Sequence, residues 1–557
     1  MAKVTTIEFL IKKGIITPDQ INRAKEEVEK TGLPIEKALE KLGFVSEIDI
    51  TKAVADSIGI PFIDLTDYLV DYDVINLVPE DLAKKFKVLP LFRIGNSLTV
   101  AMSDPQDIEA LDQISIKTGI GTIEPALSTP EMLQKAIDQY YGTLGNAKDL
   151  VKGLNEEKIG AKAQEFGVIS DVIDEGPLIK LVNLIILGAV KDKASDIHIE
   201  PAEDKLLVRY RVDGILQESQ VLPKHTQNAV ISRIKVMSKM DIAETRLPQD
   251  GRIEIKMEGR ALDLRVSSFP TIHGENVVMR ILDKSAVLLG LAELGFSGQD
   301  LKDFDKAIRT PNGIILVTGP TGSGKTTTLY AALQAINSIE KNIITVEDPV
   351  EYQIPLIRQT QINTKIGLTF ANGLRSILRQ DPDIVMVGEI RDKETAEIAI
   401  QASLTGHLVL STLHTNNAAG TLIRLLDMGI ESFLISSSII GILAQRLVRL
   451  LCPKCKEKYT PSDEVLKDLN LSEKVEFYRG KGCMKCKNAG FSGRIGIYEL
   501  LLINQEIKDM VLAKASADEI EKKARSKGMR SLYDDGLEKV KRGLTSIEEV
   551  LRVTEEF

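Results

Sequence analysis

The spacing of apolar residues at the start of the chain repeats once. The segments FLIKKGIITPDQINRA and ALEKLGFVSEIDITKA align at one constant offset. Each copy has the pattern of a helix that ends at glycine, a short apolar step, and a Thr or Ser that caps the next helix. Two copies are too few for a solenoid, so we expect a compact helical pair followed by a mixed α/β segment. The equivalent positions are Leu10 and Leu39, Gly14 and Gly43, Thr17 and Ser46, Ile21 and Ile50, and Ala24 and Ala53.

The apolar pattern thins over residues 142–166, where Lys, Glu, Gly and Ala predominate. This composition is typical of a linker that forms no packed core. Beyond it, apolar positions at helical spacing predict a helix over residues 176–191. The short β-like segments DIHIEP, KLLVRYRVDG, RIEIKMEG, LDLRVSSFP and NVVMRIL follow. We therefore predict an α+β domain that ends near residue 288.

From residue 289 onward, strand-like apolar runs alternate with helical stretches. The runs are GIILVTG, NIITVED, DIVMVGE and HLVLSTL. Such alternation predicts a parallel sheet with helices on both faces, and a charged helical stretch closes the chain. The predicted organisation is an N-terminal domain at 1–145, a linker at 146–172, a second domain at 173–288, a third domain at 289–504 that includes a cysteine-bearing subdomain at 450–490, and C-terminal helices at 505–557.

Composition and charge narrow the class of protein. The chain has 557 residues, too many for one hydrophobic core, and its 43% apolar and 27% charged residues are ordinary for a globular protein. The net charge of -9 argues against general electrostatic binding to nucleic acid or anionic lipid. The apolar segments are too short or too polar to span a bilayer, and the N-terminus lacks the apolar region of a secretory signal. We expect a cytoplasmic protein.

The segment GPTGSGKTT carries the clearest chemistry. It follows the strand-like IILVT and precedes the helix-like TTLYAALQAI, which is the context that a phosphate-binding P-loop requires. Glycines let backbone N–H groups approach the phosphates, and the start of the helix adds partial positive charge. Lys325 would reach the β- and γ-phosphates of ATP, and the Thr326 hydroxyl would bind Mg²⁺. The predicted ATP-binding residues are Gly319, Pro320, Thr321, Gly322, Ser323, Gly324, Lys325, Thr326 and Thr327.

A hydrolase also needs an acid that holds the metal and a base that orients water. In DPDIVMVGEIRD, the usual metal-binding acid is replaced by Gly388, so Glu389 would take the magnesium role directly or through water. In ITVEDPVEYQ, the candidates are Glu347, Asp348 and Glu351. Acids at the carboxyl ends of parallel strands point into the ligand crevice. The structural alternative is that these acids cap helices or stabilise turns.

Two histidines flank another apolar strand in TGHLVLSTLHTN. A histidine at a strand end, His414 above all and His407 less so, would detect the γ-phosphate and relay its presence to the next element. The alternative is a hydrogen-bonded structural histidine at either position.

The cysteines fall in two CxxC pairs, separated by an intervening loop. This spacing matches a closed tetrahedral Zn²⁺ site, which leaves no open position for catalysis and so indicates a structural metal. The alternatives are a redox dithiol pair or unused thiols. The predicted zinc ligands are Cys452, Cys455, Cys483 and Cys486.

Taken together, these motifs resemble the ATPase superfamily that drives type IV pilus assembly and type II secretion. The resemblance rests on GPTGSGKTTTLY, ITVEDPVEYQ, DPDIVMVGEIRD, TGHLVLSTLHTN, ASDIHIEP, RLPQDGRI and the CxxC pairs. It implies a multidomain α/β fold, in which a RecA-like P-loop sheet follows a PAS-like α+β domain and a helical and α+β N-terminal domain. A Cys₄ zinc subdomain and a helical C-terminus complete it. Retraction ATPases of this superfamily generally lack the N-terminal domain and the cysteines, so the resemblance favours the pilus-assembly branch.

The resemblance also implies roles for single residues. Glu351 would be the catalytic base, Glu389 the acid associated with Mg²⁺, and His414 the γ-phosphate sensor. Arg265 in DLRVSS and Arg280 in VVMRIL match arginines that the second domain brings to the phosphates, where they stabilise the charge of the transition state. The alternative for the arginines is ordinary alternating charge on an exposed strand face. The family further implies a homo-hexameric ring with ATP between the second domain and the P-loop domain.

The partners implied are an inner-membrane pilus platform protein and accessory cytoplasmic assembly proteins, with the ATPase peripheral to the inner membrane. In some members the N-terminal domain binds cyclic di-GMP through helices that begin Arg-Leu-Gly. Here the copies read EFLIKKG and KALEKLG, so docking to a membrane-protein partner is the preferred role. Three other functions stay open: a type II secretion ATPase, a DNA-uptake pseudopilus ATPase, and a nucleotide-gated scaffold that responds to cyclic di-GMP.

Overall fold

A computed structural model of the chain describes residues 10–11, 13–141, 175–283, 289–461 and 476–554. The chain divides into two compact units, Met1–Ser285 and Ala286–Phe557. The mixed α/β multidomain fold expected from the sequence is confirmed by the sheets described below. The predicted linker at 146–172 lies outside the described residues, and the domain limits drawn within each unit stay a prediction.

Short helices form the N-terminal repeat. They are α1 (Pro18–Thr31), α2 (Ile35–Lys41) and α3 (Glu47–Ile58). Thr17 and Ser46, which are equivalent in the repeat, accept hydrogen bonds from the backbone N–H groups of Gln20 and Asp49, whose side chains bond back to the cap backbone. These capping boxes satisfy backbone donors that the start of a helix leaves unpaired.

A small α/β layer follows the repeat. Its elements are α4 (Tyr72–Ile75), α5 (Glu80–Phe86), β2 (Val88–Ile94), β3 (Ser97–Met102), α6 (Ile108–Thr118), β4 (Thr122–Leu127) and α7 (Pro130–Tyr141). Strand β3 pairs antiparallel with β2 and parallel with β4. The buried Tyr140 hydroxyl on α7 accepts from the Val70 N–H and donates to the Tyr68 carbonyl, at 2.9 Å each. The last helix is therefore hydrogen-bonded to the segment that precedes α4.

The larger sheet of the first unit is built mainly of antiparallel strands. Its strands are β5 (Asp196–Pro201), β6 (Lys205–Val212), β7 (Ile215–Pro223), β8 (Gln249–Met257), β9 (Arg260–Thr271), β10 (Gly274–Asp283) and the edge strand β1 (Tyr68–Leu69). The order is β1-β8-β9-β10-β5-β6-β7. Buried positions alternate along β6, and they pack with apolar residues of α8 (Glu175–Lys191) and α9 (Gln227–Met237). Alternating burial is expected of a strand that packs one face against a core, and it agrees with the β-like segments predicted from the sequence.

Strand β1 joins the N-terminal segment to this larger sheet. Tyr68 and Leu69 pair in parallel with Lys256 and Met257. Two further contacts surround the pairing: the Gly259 N–H donates to the Tyr68 hydroxyl at 3.2 Å, and the Lys191 ammonium lies 2.6 Å from Asp71. Leu69 is buried with the core of the larger sheet. The N-terminal segment thus adds one short strand to the larger sheet and Leu69 to its apolar core, while the small α/β layer keeps a core of its own.

The second unit contains the predicted parallel sheet. Its strands are β11 (Gly313–Thr318), β12 (Ile343–Glu347), β13 (Arg358–Gln361), β14 (Ile384–Val387), β15 (Leu408–Leu413), β16 (Ile439–Leu451) and β19 (Phe491–Leu502), and the cysteine-bearing segment adds a hairpin of β17 (Lys456–Tyr459) and β18 (Phe477–Gly480). The order is β13-β12-β14-β15-β11-β16-β19, with β19 antiparallel to its neighbour. Because neighbouring parallel strands end at one edge, β11, β12, β14 and β15 present their carboxyl ends together.

Helices cover both faces of this sheet, and the C-terminal helices belong to the same core. The helices are α10 (Gly298–Ile308), α11 (Lys325–Ile336), α12 (Phe370–Ile377), α13 (Lys393–Leu404), α14 (Ala418–Asp427), α15 (Ser432–Ser438), α16 (Gln505–Leu512), α17 (Ala517–Ser526), α18 (Leu532–Lys541) and α19 (Ile547–Thr554). Val540 and Val550 of the last two helices are buried with Ile442 of β16. Within the ranges that the structure describes, no helix has the length and apolar character needed to cross a membrane.

Candidate functional site

The predicted P-loop lies at the carboxyl edge of the parallel sheet. Strand β11 ends at Thr318, and helix α11 begins at Lys325. Gly324 adopts φ +89°, and a Cβ there would lie 2.8 Å from the Gln445 side chain, while a Cβ at Gly319 would lie 2.4 Å from the Gln445 carbonyl. No side chain fits at either position without a shift in the loop, so both glycines are required by the local packing. Thr321, Gly322, Thr326 and Thr327 are exposed, whereas Ser323 is buried.

Lys325 lies inside the loop. Its ammonium donates to the carbonyls of Gly319 at 2.8 Å and Pro320 at 3.1 Å. Burial lowers the pKa of Lys325 to about 8; the charge of Glu389 opposes this shift and that of Arg446 adds to it. An anion bound by the loop would favour the charged ammonium, which is the form that binds phosphate.

The side chain of Gln445 on β16 is hydrogen-bonded to the P-loop and to the helix after it, a role that the sequence did not predict. Its amide nitrogen donates to the Ser323 carbonyl at 2.7 Å, and its amide oxygen accepts from the Thr328 hydroxyl on α11 at 2.7 Å. The side chain is only 2% exposed. One amide therefore joins the loop to the helix that follows it. The only signal in the sequence is a polar residue within the apolar run IIGILAQRLVRLL.

Glu389 and His414 meet at the same edge. They follow the neighbouring strands β14 and β15, and the Nε2 of His414 lies 3.3 Å from a carboxylate oxygen of Glu389. The other oxygen accepts from the Arg391 guanidinium at 2.5 Å. Burial raises the pKa of Glu389, but Arg391 and then His414 outweigh it and hold the pKa below its ordinary value. Glu389 is thus kept ionised, as a metal-associated acid must be.

His407 occupies a different place from His414. It precedes β15 and therefore lies at the opposite edge of the sheet from the P-loop. Its Nδ1 lies 2.8 Å from the Ala402 carbonyl and 3.2 Å from the Thr405 hydroxyl. The structural interpretation of His407 is thus the one that the geometry supports.

The acids after β12 have different surroundings. Glu347 is 2% exposed, accepts hydrogen bonds from the Tyr330 and Thr345 hydroxyls, and lies 3.2 Å from the Gln359 amide nitrogen. Asp348 lies 3.7 Å from the Arg391 guanidinium. The backbone N–H of Glu351 donates to the Tyr330 hydroxyl at 3.2 Å. Glu347 is therefore a buried structural acid. It is hydrogen-bonded to Tyr330, which in turn binds the backbone of Glu351.

Arg265 and Arg280 lie in the first unit. They are register partners on β9 and β10, so their side chains share a face of the sheet. The Arg280 Nε donates to Asp196 at 3.0 Å, and the side chain remains 62% exposed. The register places Arg252 beside Arg265 and Asp196 beside Arg211, which the sequence had not singled out. A row of arginines with one aspartate thus crosses this face.

The four cysteines form one cluster in the second unit. Their sulfur atoms all lie within 4.8 Å of one another, with separations of 3.9 Å for Cys452 and Cys483, 3.8 Å for Cys455 and Cys486, and 3.7 Å for Cys483 and Cys486. Zn–S bonds of about 2.3 Å place tetrahedral sulfurs about 3.8 Å apart, so the cluster fits zinc. All four cysteines are free thiols, which excludes disulfides here.

Backbone groups support the thiolate form that a metal needs. The N–H groups of Cys483 and Gly490 donate to the Cys486 sulfur at 3.2 Å and 3.3 Å. Burial raises the pKa of Cys486, but these two donors, together with hydrogen bonds from the thiols of Cys483 and Cys455, lower it to about 7. Burial raises the pKa of the neighbouring Cys455 thiol to about 12, so within the cluster the backbone donors favour the thiolate at Cys486.

Family models match most of the described chain, from residue 58 onward. One with the description "Type II/IV secretion system protein" matches residues 171–552. Another, described as the MshEN domain, matches residues 58–147.

Similar proteins extend over the full length. The type IV pilus assembly ATPase PilB of Myxococcus xanthus is 46% identical over 553 residues, which cover 98% of either chain. The type II secretion system protein E of Xanthomonas campestris pv. campestris is 45% identical over 566 residues, which cover 100% of this chain and 99% of the relative. Among solved structures, the Yersinia pseudotuberculosis ATPase DotB aligns with a TM-score of 0.52 at 21% identity over 68% of this chain and 93% of that chain, a likeness in fold.

Proposed function

The chain belongs to the type II/IV secretion system protein family and is an ATPase, and we propose that it hydrolyses ATP to power assembly of a type IV pilus. The observation that carries the proposal is the 46% identity to a pilus assembly ATPase over 98% of both chains. The carboxyl edge of the parallel sheet supports it, because a P-loop, Glu389 and His414 lie there together.

A type II secretion motor is the second candidate. It is favoured by the 45% identity to a type II secretion system protein E over the whole chain. A DNA-uptake pseudopilus would need the same motor chemistry. Deletion of the gene distinguishes these cargoes: loss of surface pili with normal secretion supports pilus assembly, and loss of secreted enzymes with normal pili contradicts it.

In the proposed reaction, the P-loop binds the substrate phosphates. The backbone N–H groups of Gly322 to Thr326 would donate to phosphate oxygens, and Lys325 would exchange its two carbonyl partners for the β- and γ-phosphates. Thr326 and Glu389 would hold Mg²⁺, which neutralises charge on the phosphates when it is bound. Exposure of Thr326 and ionisation of Glu389 support that assignment.

Glu351 is proposed as the base that orients the attacking water, and His414 as the group that detects the γ-phosphate. His414 already lies beside Glu389, so a change at the metal-binding acid would reach the histidine through one contact. The strand after which His414 lies is paired with β11, which leads into the P-loop. This pairing supports a relay from the phosphates into the sheet.

Arg265 and Arg280 are proposed to stabilise the charge of the transition state. A homo-hexamer would let the sheet of the first unit in one subunit act on nucleotide bound by a P-loop, so that hydrolysis changes the position of domains. The exposed guanidinium of Arg280, oriented by Asp196, supports a role in binding an anion.

The cysteine cluster is proposed to bind one structural Zn²⁺ through four thiolates. With every position filled by protein, such an ion takes no part in hydrolysis. Its site packs beside the C-terminal helices: the Leu451 N–H donates to the Leu544 carbonyl at 2.9 Å, and the Lys456 ammonium donates to the Gly543 carbonyl at 2.6 Å. Zinc would therefore fix the end of β16 against the turn before α19.

The N-terminal part is proposed to dock on a platform protein and accessory assembly proteins at the cytoplasmic face of the inner membrane. Cyclic di-GMP binding is a narrower proposal for the same part. Calorimetric titration of the full chain with the dinucleotide tests it, and absence of heat contradicts it.

The decisive experiment for the enzyme is phosphate release by the full chain. We expect Lys325→Ala to lose ATP binding and Glu351→Gln to bind ATP while hydrolysis falls by at least about a hundredfold. Glu340→Gln is the matched control, because Glu340 is an exposed acid in the turn that precedes β12, at the opposite edge of the sheet. Equal rates for wild type and Glu351→Gln would remove Glu351 from the catalytic role.

A further inference from the structure

The side chain of Tyr330 connects the P-loop helix to the acidic segment after β12. Tyr330 lies on α11 and is 1% exposed. Its hydroxyl donates to the carboxylate of Glu347 and accepts from the backbone N–H of Glu351 at 3.2 Å. Its ring also packs edge-on against Tyr352, with ring centres 6.0 Å apart. A single side chain thus contacts three residues of the acidic segment, namely Glu347, Glu351 and Tyr352.

The direction of these hydrogen bonds is fixed by the chemistry of the groups. A backbone N–H only donates, so the Tyr330 oxygen accepts from Glu351, and its one hydroxyl proton is directed to the Glu347 carboxylate. Burial and the neighbouring charge of Glu347 raise the pKa of Tyr330, which keeps that proton in place. Glu347 in turn accepts from Thr345. The buried acid therefore orients the hydroxyl that holds Glu351.

Gln359 on β13 ties the same segment a second time. Its amide nitrogen donates to the Tyr352 carbonyl at 2.9 Å and lies 3.2 Å from Glu347, and its amide oxygen accepts from the Ile354 N–H at 2.8 Å. The backbone before Tyr352 is thus hydrogen-bonded to Tyr330 and the backbone after it to Gln359, and both of these side chains contact Glu347. This arrangement leaves the backbone of Glu351 little freedom to move relative to α11.

We propose that Tyr330 is a positioning residue for ATP hydrolysis, fixing the backbone of Glu351 at a set distance from the P-loop. The first residue of α11 is Lys325, and Tyr330 follows about 7.5 Å further along the helix axis at 1.5 Å per residue. The same helix therefore locates both the phosphates and the base that directs water at them. This inference rests on the proposed role of Glu351.

The test removes one hydroxyl. In the full chain, Tyr330→Phe should lower kcat by about ten- to hundredfold, because a small displacement of a catalytic group has an effect of that size, and should leave KM for ATP nearly unchanged. Thr345 and Gln359 still contact Glu347 in this variant, so its carboxylate keeps partners. The matched control is Tyr498→Phe, which removes an equally buried hydroxyl that donates to the Leu294 carbonyl at 2.9 Å. The control should retain the wild-type kcat.

A double variant shows whether Tyr330 acts through Glu351. If it does, single-turnover rates of Glu351→Gln and of Tyr330→Phe with Glu351→Gln should be equal, because the hydroxyl has no base left to position. Losses that multiply would overturn the inference, as would an unchanged kcat in Tyr330→Phe or a raised KM as its only effect. A wild-type rate in Glu351→Gln alone would instead overturn the proposed role of Glu351.

A second variant covers the case in which Tyr330→Phe does not fold. Gln359→Met removes the hydrogen bonds of Gln359 to the backbone of Tyr352 and Ile354 and leaves Tyr330 in place. We expect it to lower kcat with KM unchanged, and to add no loss to Glu351→Gln. Wild-type kcat in this folded variant would contradict the inference.

Discussion

The amide of Gln445 offers a sharp test of how the P-loop is held. The substitution Gln445→Met keeps the length and volume of the side chain and removes both of its hydrogen bonds. The Ser323 carbonyl then loses its 2.7 Å donor, and the Thr328 hydroxyl loses its 2.7 Å acceptor. The perturbation is therefore confined to two contacts, one on the loop and one on α11.

The size of the effect follows from those two contacts. A buried polar group left without a partner costs about 1–3 kcal/mol, so two such groups set an upper range of about 2–6 kcal/mol. Relaxation of the exposed half of the loop offsets part of this. If about 2 kcal/mol of this cost destabilises the phosphate-binding conformation of the loop, the population of that conformation falls about thirtyfold. The apparent Kd for ATP then rises by the same factor. We expect kcat at saturating ATP to stay near the wild-type value, because bound phosphates restore the loop.

The assay is titration of the full chain with a fluorescent ATP analogue, paired with initial rates and thermal unfolding. Thr328→Val, which removes one of the two contacts, should weaken binding by a smaller factor. The control is Gln227→Met, since Gln227 is 7% exposed and donates to the His273 carbonyl at 3.1 Å in the first unit. An unchanged Kd in Gln445→Met, or an equal loss of affinity in Gln227→Met, would refute the reasoning.

Three further outcomes are expected. Removal of zinc by a chelator, or Cys455→Ser, should lower both zinc content and the unfolding temperature; a native chain with less than about half a zinc ion would contradict the site. Burial raises the pKa of Glu499 to about 7, above its usual 4.5, so its stabilising contribution is complete below about pH 4.5 and is lost as the pH rises to 7. Glu499→Gln should thus gain up to about 3 kcal/mol of stability at pH 8 and nothing near pH 4.5, as denaturant titrations at both pH values would reveal. Arg280→Ala should lower kcat about a thousandfold in phosphate-release assays, whereas the control Arg260→Ala, on the neighbouring strand β9, should not. A wild-type kcat in Arg280→Ala would exclude the transition-state role.

Local chemistry made much of the second unit predictable. The P-loop is contiguous, and its strand, glycines and helix lie within one short segment, so order along the chain was enough to place it. Strand direction separates the histidines: His414 follows a parallel strand and His407 precedes it, so only the former is at the ligand edge. The cysteine cluster was equally predictable, because the spacing of the two CxxC pairs alone matches a tetrahedral metal site.

Contacts between distant residues were not predictable in this way. Gln445 meets Ser323 across 122 positions, and an amide within an apolar run gives no indication of its partner. The residues of ITVEDPVEYQ alone left Glu347, Asp348 and Glu351 as candidates, and only the family resemblance pointed to Glu351 as the base. The burial of Glu347 depends on Tyr330 and Gln359, which come from other elements and could not be identified from the sequence.

The smallest strand of the first unit limits how the chain can be divided. Strand β1 consists of two residues, yet it covers the edge of β8, and Leu69 fills part of the apolar core beside it. A fragment that began at residue 175 would expose both the unpaired backbone of β8 and that apolar gap. Open strand edges of this kind recruit other chains, so such a fragment would be prone to aggregate. Excised domains of this protein should therefore retain the segment around Tyr68.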